Sequence, residues 1–460
     1  MSHLSDAVVG DGYRSTFAWD LLAELTEIGS RMAGHEGEAE GARVFAEGLD
    51  RAGLRETGIT EFEIPGWWRG ASSLAVEAGD GRSRTFEADY EVLGLPGSPA
   101  ETVEAELIDV GAGLPADFEA ADLEGKVALA GSQNPPDFGR AINRIEKYAR
   151  AARAGALGFV YVNENAEGAI PPTGSVGFTH DGPGEIPAVG VSSEVAARIR
   201  RYLADGSVTA TLSVDCRSEP ATCRNAEAVV GPDAGPEVLV TGHVDAHDIA
   251  DGARDNGAGS VLAAEVGRLL ALEDDERGLD TRVRVVAFGG EETGLYGSTH
   301  WAARADLSNV VGQINLDGIG YSRNLRVRGL GLLEVFEAAG DTALGPIPTT
   351  RTASPFNDHW PFVTRGVPSV TCSSTAGGEG QVVRYGNMEW GHTHADTLDK
   401  LDPRDFRDLA IPIAEATASL AAGPEPERIE ETAVREVLPE GLAEYLRFDG
   451  RWPFRDEHDR

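Results

Sequence analysis

Apolar residues recur at helical spacing between positions 15 and 54, through Trp19, Leu22, Leu25, Ile28, Val44, Phe45 and Leu49, with charged residues between them. This period predicts two amphipathic helices broken near Gly34. From about 60 to 220 the texture changes to short apolar runs cut by Gly, Pro and Asp, among them 73–76, 104–110, 126–130 and 158–162. These read as strands, with a helix over 140–154 leading into the last of them. After about 225 strand and helix patterns alternate. Runs 238–241, 282–288, 310–315 and 369–373 suit buried strands, and 260–272 has helical spacing. Such alternation predicts an α/β fold with a mixed, mostly parallel sheet flanked by helices, interrupted by a β-rich insert. The expected divisions are 1–66 and 223–424 for the main domain, 67–222 for the insert, and 425–460 for a C-terminal helical, charged tail. Short helices are expected at 431–438 and 441–446, on either side of Pro439.

Charge changes the picture next. The 460 residues carry 76 Asp and Glu against 40 Lys and Arg, and the only lysines are Lys126, Lys147 and Lys400. A field this negative repels phosphate, so no nucleic-acid partner is expected. The carboxylates are spread evenly, as on the acidic, lysine-poor surfaces of proteins from salt-loving archaea. No apolar run reaches 18 residues, so no membrane span is expected. Residues 1–6 show neither a basic nor an apolar region, which makes a cytoplasmic location the expectation. Cys216, Cys223 and Cys372 form no zinc pattern. Their small number fits a reducing compartment and small buried thiols rather than a 216–223 disulfide.

In open α/β sheets chemistry gathers beyond the carboxyl ends of the strands. There the first run ends in His243 and Asp245, with Asp255 ten residues on. The second ends in Glu291 and Glu292, and the third in Asp317. His392, His394 and Asp396 follow the fourth. Each group alone is an ordinary loop feature. Together they supply five imidazole or carboxylate ligands and a spare glutamate. That suits two divalent ions sharing a carboxylate, with a base left over for a water between them.

These residues resemble the co-catalytic di-zinc aminopeptidase and carboxypeptidase family, which includes aminopeptidase Y, bacterial leucyl aminopeptidases and plasma glutamate carboxypeptidase. The resemblance rests on His243-Val-Asp, Asp255-Asn-Gly-Ala-Gly, Glu291-Glu-Thr-Gly-Leu-Tyr-Gly-Ser, Asn315-Leu-Asp and His392-Thr-His-Ala-Asp-Thr. It extends to Asp358-His-Trp-Pro-Phe followed by Gly366-Val-Pro. The segments Leu123-Glu-Gly-Lys-Val, Gly155-Ala-Leu-Gly-Phe-Val and Ile186-Pro-Ala-Val-Gly-Val resemble a protease-associated domain. The resemblance implies two divalent ions, zinc foremost, and peptide substrates. It gives one ion His243, Asp255 and Asp317, and the other Asp255, Glu292 and His392. Glu291 becomes the general base, Asp245 orients His243, and Asp396 does similar work beside His392. Where some relatives carry an oxyanion-donating Tyr, this chain has Gly391, leaving Tyr385 as the candidate donor. His359 falls in the substrate-side segment. His394 is read as a pocket or surface imidazole, and His247 as a structural or solvent-facing one rather than part of a third metal site.

The reaction expected is exopeptidase cleavage, an aminopeptidase first. A carboxypeptidase or dipeptidase of the same family stays open, with Arg351, Arg365 and Arg384 as carboxylate-binding candidates. A metal-free receptor homologue is the alternative from another class, and a glutaminyl cyclase ranks below both. Homo-oligomerisation is left open.

Overall fold

The computed structural model describes residues 2–164, 170–177, 183–340, 345–375 and 390–455. Four strands form the centre of the main sheet: Arg282–Phe288, Glu237–His243, Val310–Leu316 and Ser369–Ser374, adjacent in that order and all parallel. Their near-continuous apolar runs follow from burial on both faces. One face packs on helices Phe17–Thr26, Glu36–Arg51, Ala258–Arg277 and Pro403–Ala422 through the largest core. The other packs Leu239, Val286 and Phe288 against Phe362 and Ala302. Antiparallel strands close the flanks, Leu325–Leu330 beside Ser369–Ser374 and Val208–Val230 beside Arg282–Phe288. All four parallel strands therefore point their carboxyl ends, and the residues that follow them, to one edge.

The insert hangs on two unusually long strands. Arg55–Ala78 and Val208–Val230 pair antiparallel, from Arg55 opposite Val229 to Ala78 opposite Val208. One end of Val208–Val230 joins the main sheet through Ala226–Val230, and its other end pairs with Glu101–Asp109. The insert's own sheet continues through Val127–Gly131, Gly158–Val162 and Ala188–Val191 in parallel. The divisions expected at 66/67 and 222/223 fall inside this ribbon, where Gly66 faces Glu219 and Phe62 faces Cys223.

The two C-terminal helices, Glu431–Val437 and Leu442–Phe448, form a strap. Val434, Leu442, Tyr445 and Leu446 pack on Trp360, Val363 and Leu330 of the main domain. From the insert, Arg153 donates to the carbonyl of Phe448, and its guanidinium lies 4.2 Å from that ring. All three cysteines are free thiols, with Cys223 and Cys372 buried.

Candidate metal centre

The sheet edge brings the predicted residues together. His243 ends its strand, and Ser260 Oγ donates to its carbonyl oxygen at 2.7 Å. Asp255 enters from the loop before helix Ala258–Arg277. Its neighbour Asn256 donates through Nδ2 to the carbonyl of Leu316, the residue before Asp317. Gly259 must be glycine here, since a Cβ would lie 2.2 Å from that same carbonyl oxygen. Glu291 and Glu292 follow a turn in which Gly290 takes φ +73, a conformation that glycine adopts without penalty. His392 is itself left-handed at φ +57, and its carbonyl accepts from Thr173 of the insert at 2.8 Å.

Two donor groups result: His243, Asp255 and Asp317, and beside them His247, Glu292 and His392. Asp255 lies between them. Its Oδ1 is 3.5 Å from His243 Nε2, and its Oδ2 is 3.2 Å from His392 Nε2. A tetrahedral ion with bonds of about 2.0–2.1 Å separates neighbouring donor atoms by roughly 3.3–3.4 Å, so these spacings suit shared ligands. The buried His243 Nε2, Glu292 Oε1 and His392 Nδ1 have no hydrogen-bond partner. Burying such atoms unpaired is costly. Donor chemistry, spacing and unpaired atoms all fit divalent cations.

Electrostatics makes the same demand. Burial works against a charged His243, yet Glu291, Asp245, Asp255 and Asp317 hold its pKa well above the usual value. Burial likewise opposes ionisation of Asp255, but His243 and His392 hold its carboxyl well below the carboxylate range. For Glu291 burial wins: its pKa is pushed well up, with Asp317, Asp358 and Glu292 adding to burial against the pull of His243.

The supporting residues are placed as follows. Asp245 Oδ1 lies 3.4 Å from His243 Nδ1, and its carboxylate accepts the backbone N–H groups of Glu291 and Glu292 at 3.1 and 3.2 Å. His243 Nδ1 also meets the Asp245 backbone carbonyl at 3.1 Å, so Asp245 lies against both His243 and the turn that carries Glu291 and Glu292. Asp396 supports a different residue from the expected one. It accepts the backbone N–H groups of Arg254 and Asp255, holding Asp255 in place rather than the His392 ring. Its pKa rises to about 6, from burial and the nearby Asp255. His359 is buried with both ring nitrogens engaged: Nε2 accepts from Ser354 N, and Nδ1 meets Asn357 Oδ1 at 3.0 Å. Asn357 in turn donates to Asp317 Oδ2, so His359 acts from behind Asp317. Asn357 escaped the sequence reading, although it stands one residue before the quoted Asp358 segment. His394 is exposed, with Nδ1 2.8 Å from the Ile249 carbonyl oxygen. His247, read as structural or solvent-facing, is buried against Glu292. Tyr385 and Arg384 lie outside the described residues. Arg365 donates to the Pro361 carbonyl, and Arg351 is exposed.

Residues 226–417 match the model of peptidase family M28. This region belongs to that family. The match supports a metallopeptidase hydrolase, and the PA domain model matches residues 101–199 of the insert. Aminopeptidase YwaD of Bacillus subtilis is 28% identical over 324 residues, which cover 67% of this chain and 63% of that one, short of two thirds of its length. Bovine carboxypeptidase Q is 25% identical over 407 residues, covering 85% of this chain and 83% of its own. Among solved structures, the M28 peptidase precursor of Shewanella amazonensis superposes with a TM-score of 0.78 at 22% identity, covering 92% of this chain and 98% of its own. That likeness establishes the M28 fold with its PA insert. Among the described residues no helix is long and apolar enough to cross a membrane.

Proposed function

We propose that the chain is an exopeptidase, an aminopeptidase, working with two divalent ions, zinc foremost. The first is held by His243, Asp255 and Asp317, and the second by Asp255, Glu292 and His392. The observation that carries this reading is Asp255, whose two oxygens face the imidazoles of the two groups. Bound there, the ions polarise the scissile carbonyl and acidify a water. Glu291 lies beside the first group, its Oε2 3.9 Å from His243 Nε2. Its carboxylate removes the proton of the attacking water, keeps it, and delivers it to the leaving amine. Asp245 keeps the tautomer and angle of His243 fixed during turnover. Asn357 and His359 do the equivalent for Asp317.

The relative named an aminopeptidase supports the amine-end reading, and carboxypeptidase Q supports cleavage at the other end. Metal-loaded protein in high salt, offered aminoacyl-anilides, free dipeptides and N-blocked dipeptides, separates them. Cleavage of anilides with refusal of N-blocked peptides is the expected result. Release of the C-terminal residue from N-blocked peptides replaces it with a carboxypeptidase. Silence on all three favours the receptor-like alternative.

A further inference from the structure

We infer that His247 is a fourth protein ligand of the second ion, making that ion's site His247, Glu292, His392 and Asp255. This deepens the two-ion reading above and rests on it. His247 lies four residues beyond His243, in the loop running to Asp255, and the fold turns it inward until it is buried. Its Nε2 is 3.0 Å from Glu292 Oε2, and Glu292 Oε2 is 3.4 Å from His392 Nε2. The two imidazole rings stand 4.6 Å apart at 62°. These spacings bracket the roughly 3.3–3.4 Å between neighbouring donors on a tetrahedral ion.

Neither ring nitrogen of His247 has a hydrogen-bond partner. The close approach to Glu292 is therefore off the line that a hydrogen bond needs. An imidazole buried with neither nitrogen hydrogen-bonded recovers only part of its lost hydration from the nearby Glu292 carboxylate. A cation reached by Nε2 and Glu292 Oε2 together removes that cost.

The loop is also built to hold this position. Arg31, fully buried, donates to the carbonyls of Val244 and Gly252 at 2.8 and 2.9 Å. Asp248, next to His247, takes a two-pronged bond from Arg69 at 2.8 and 2.6 Å. Arg69 also reaches Thr173 Oγ1, and the Thr173 N–H donates to the carbonyl of His392. One network thus sets both imidazoles. The two sites would then differ in donor number, with four protein donors at the second and three at the first, which predicts tighter retention of the second ion.

The test uses the full chain. Elemental analysis of the wild type reports on the two-ion reading by itself: two ions per chain are expected, and fewer overturn it together with the His247 assignment. In the cobalt-loaded wild type, three hyperfine-shifted exchangeable imidazole N–H resonances are expected, from His243, His247 and His392. Two resonances with two bound ions would leave the two-ion reading standing and overturn the role of His247. In parallel, zinc affinities of H247Q are measured by chelator competition. Losing even an outer partner of a metal site costs about 10–100-fold in affinity. Losing a direct donor is therefore expected to weaken the second ion at least about 100-fold, with the first ion unaffected. A change within about twofold, in a variant whose circular dichroism matches wild type, overturns the proposal.

Discussion

At the scale of single residues, the clearest assignment to test is Glu291. Replacing it with Gln keeps the shape and removes the base. Metal content is expected to stay at the wild-type level while turnover falls by about two to four orders of magnitude. Elemental analysis beside a rate assay checks both halves. Lys147 offers a test away from the metal centre. It is fully buried in the insert, its Nζ donating to the Gly131 carbonyl at 2.7 Å. Burial lowers its pKa from 10.5 to about 8, against the pull of Glu164, Glu146 and Asp117. A depressed folded-state pKa gives stability that is present above the unfolded value and lost as pH falls through the folded one. Wild-type unfolding free energy should therefore climb by about 3 kcal/mol relative to Lys147→Met between pH 7 and pH 10.5. Denaturant titrations at several pH values would show parallel curves if the lysine were hydrated. The residues of the two donor groups, His247 apart, could be picked out as candidates because they come after apolar strand runs in chain order. Arg31 and Asn357 could not. Arg31 meets Val244 across 213 residues, and Asn357 meets Asp317 across 40, so no local spacing announces either contact.

At the scale of elements, the loop between His243 and Asp255 is held largely from outside itself. Arg31 supplies donors to four carbonyls, those of Leu25, Val244, Asp251 and Gly252. A buried acceptor left unpaired costs about 1–3 kcal/mol. Arg31→Met is therefore expected to lower stability by roughly 3–5 kcal/mol and to release metal more readily, as denaturant unfolding and metal content after dialysis would show. Unchanged metal retention would mean the loop keeps its shape without the clamp. The strands of the main sheet were readable as apolar runs, and the helices at 17–26 and 36–51 as periodic ones. The ribbon was not. Only 73–76 stood out in a strand that runs from Arg55 to Ala78, because Pro65 and Gly66 read as a break. In the fold Pro65 pairs with Pro220. Neither proline has an N–H to leave unsatisfied, so two breakers facing each other let both strands continue.

At the scale of the molecule, charge and the C-terminal strap govern cohesion. A net charge of −36 works against compactness, and salt screens that repulsion within about 10 Å at 0.1 M and about 3 Å at 1 M. The thermal midpoint is expected to rise between 0.1 and 2 M KCl; a flat response would mean the carboxylates are locally compensated. The strap was visible in the sequence only as two short helices, since its partners Trp360, Val363 and Leu330 lie far off in the chain. Deleting residues 425–460 removes four buried side chains from that cluster. The expected cost is on the order of 5 kcal/mol, with faster proteolysis of the insert in a limited-digestion time course. Digestion at the wild-type rate would show that the ribbon alone holds the insert.

The ribbon also fixes where this chain can be cut and rejoined. A chimaera carrying the insert of another M28 chain needs both strands severed at facing residues, such as Phe62 and Cys223. Offsetting one splice by a single residue would turn Phe62 and Ile64, now buried with Cys223, onto the opposite face. The same slip would pass down Val208–Val230 into the strand that carries Glu291 and Glu292 at its end. Transplants of this domain will therefore succeed or fail on strand register before any question of substrate arises.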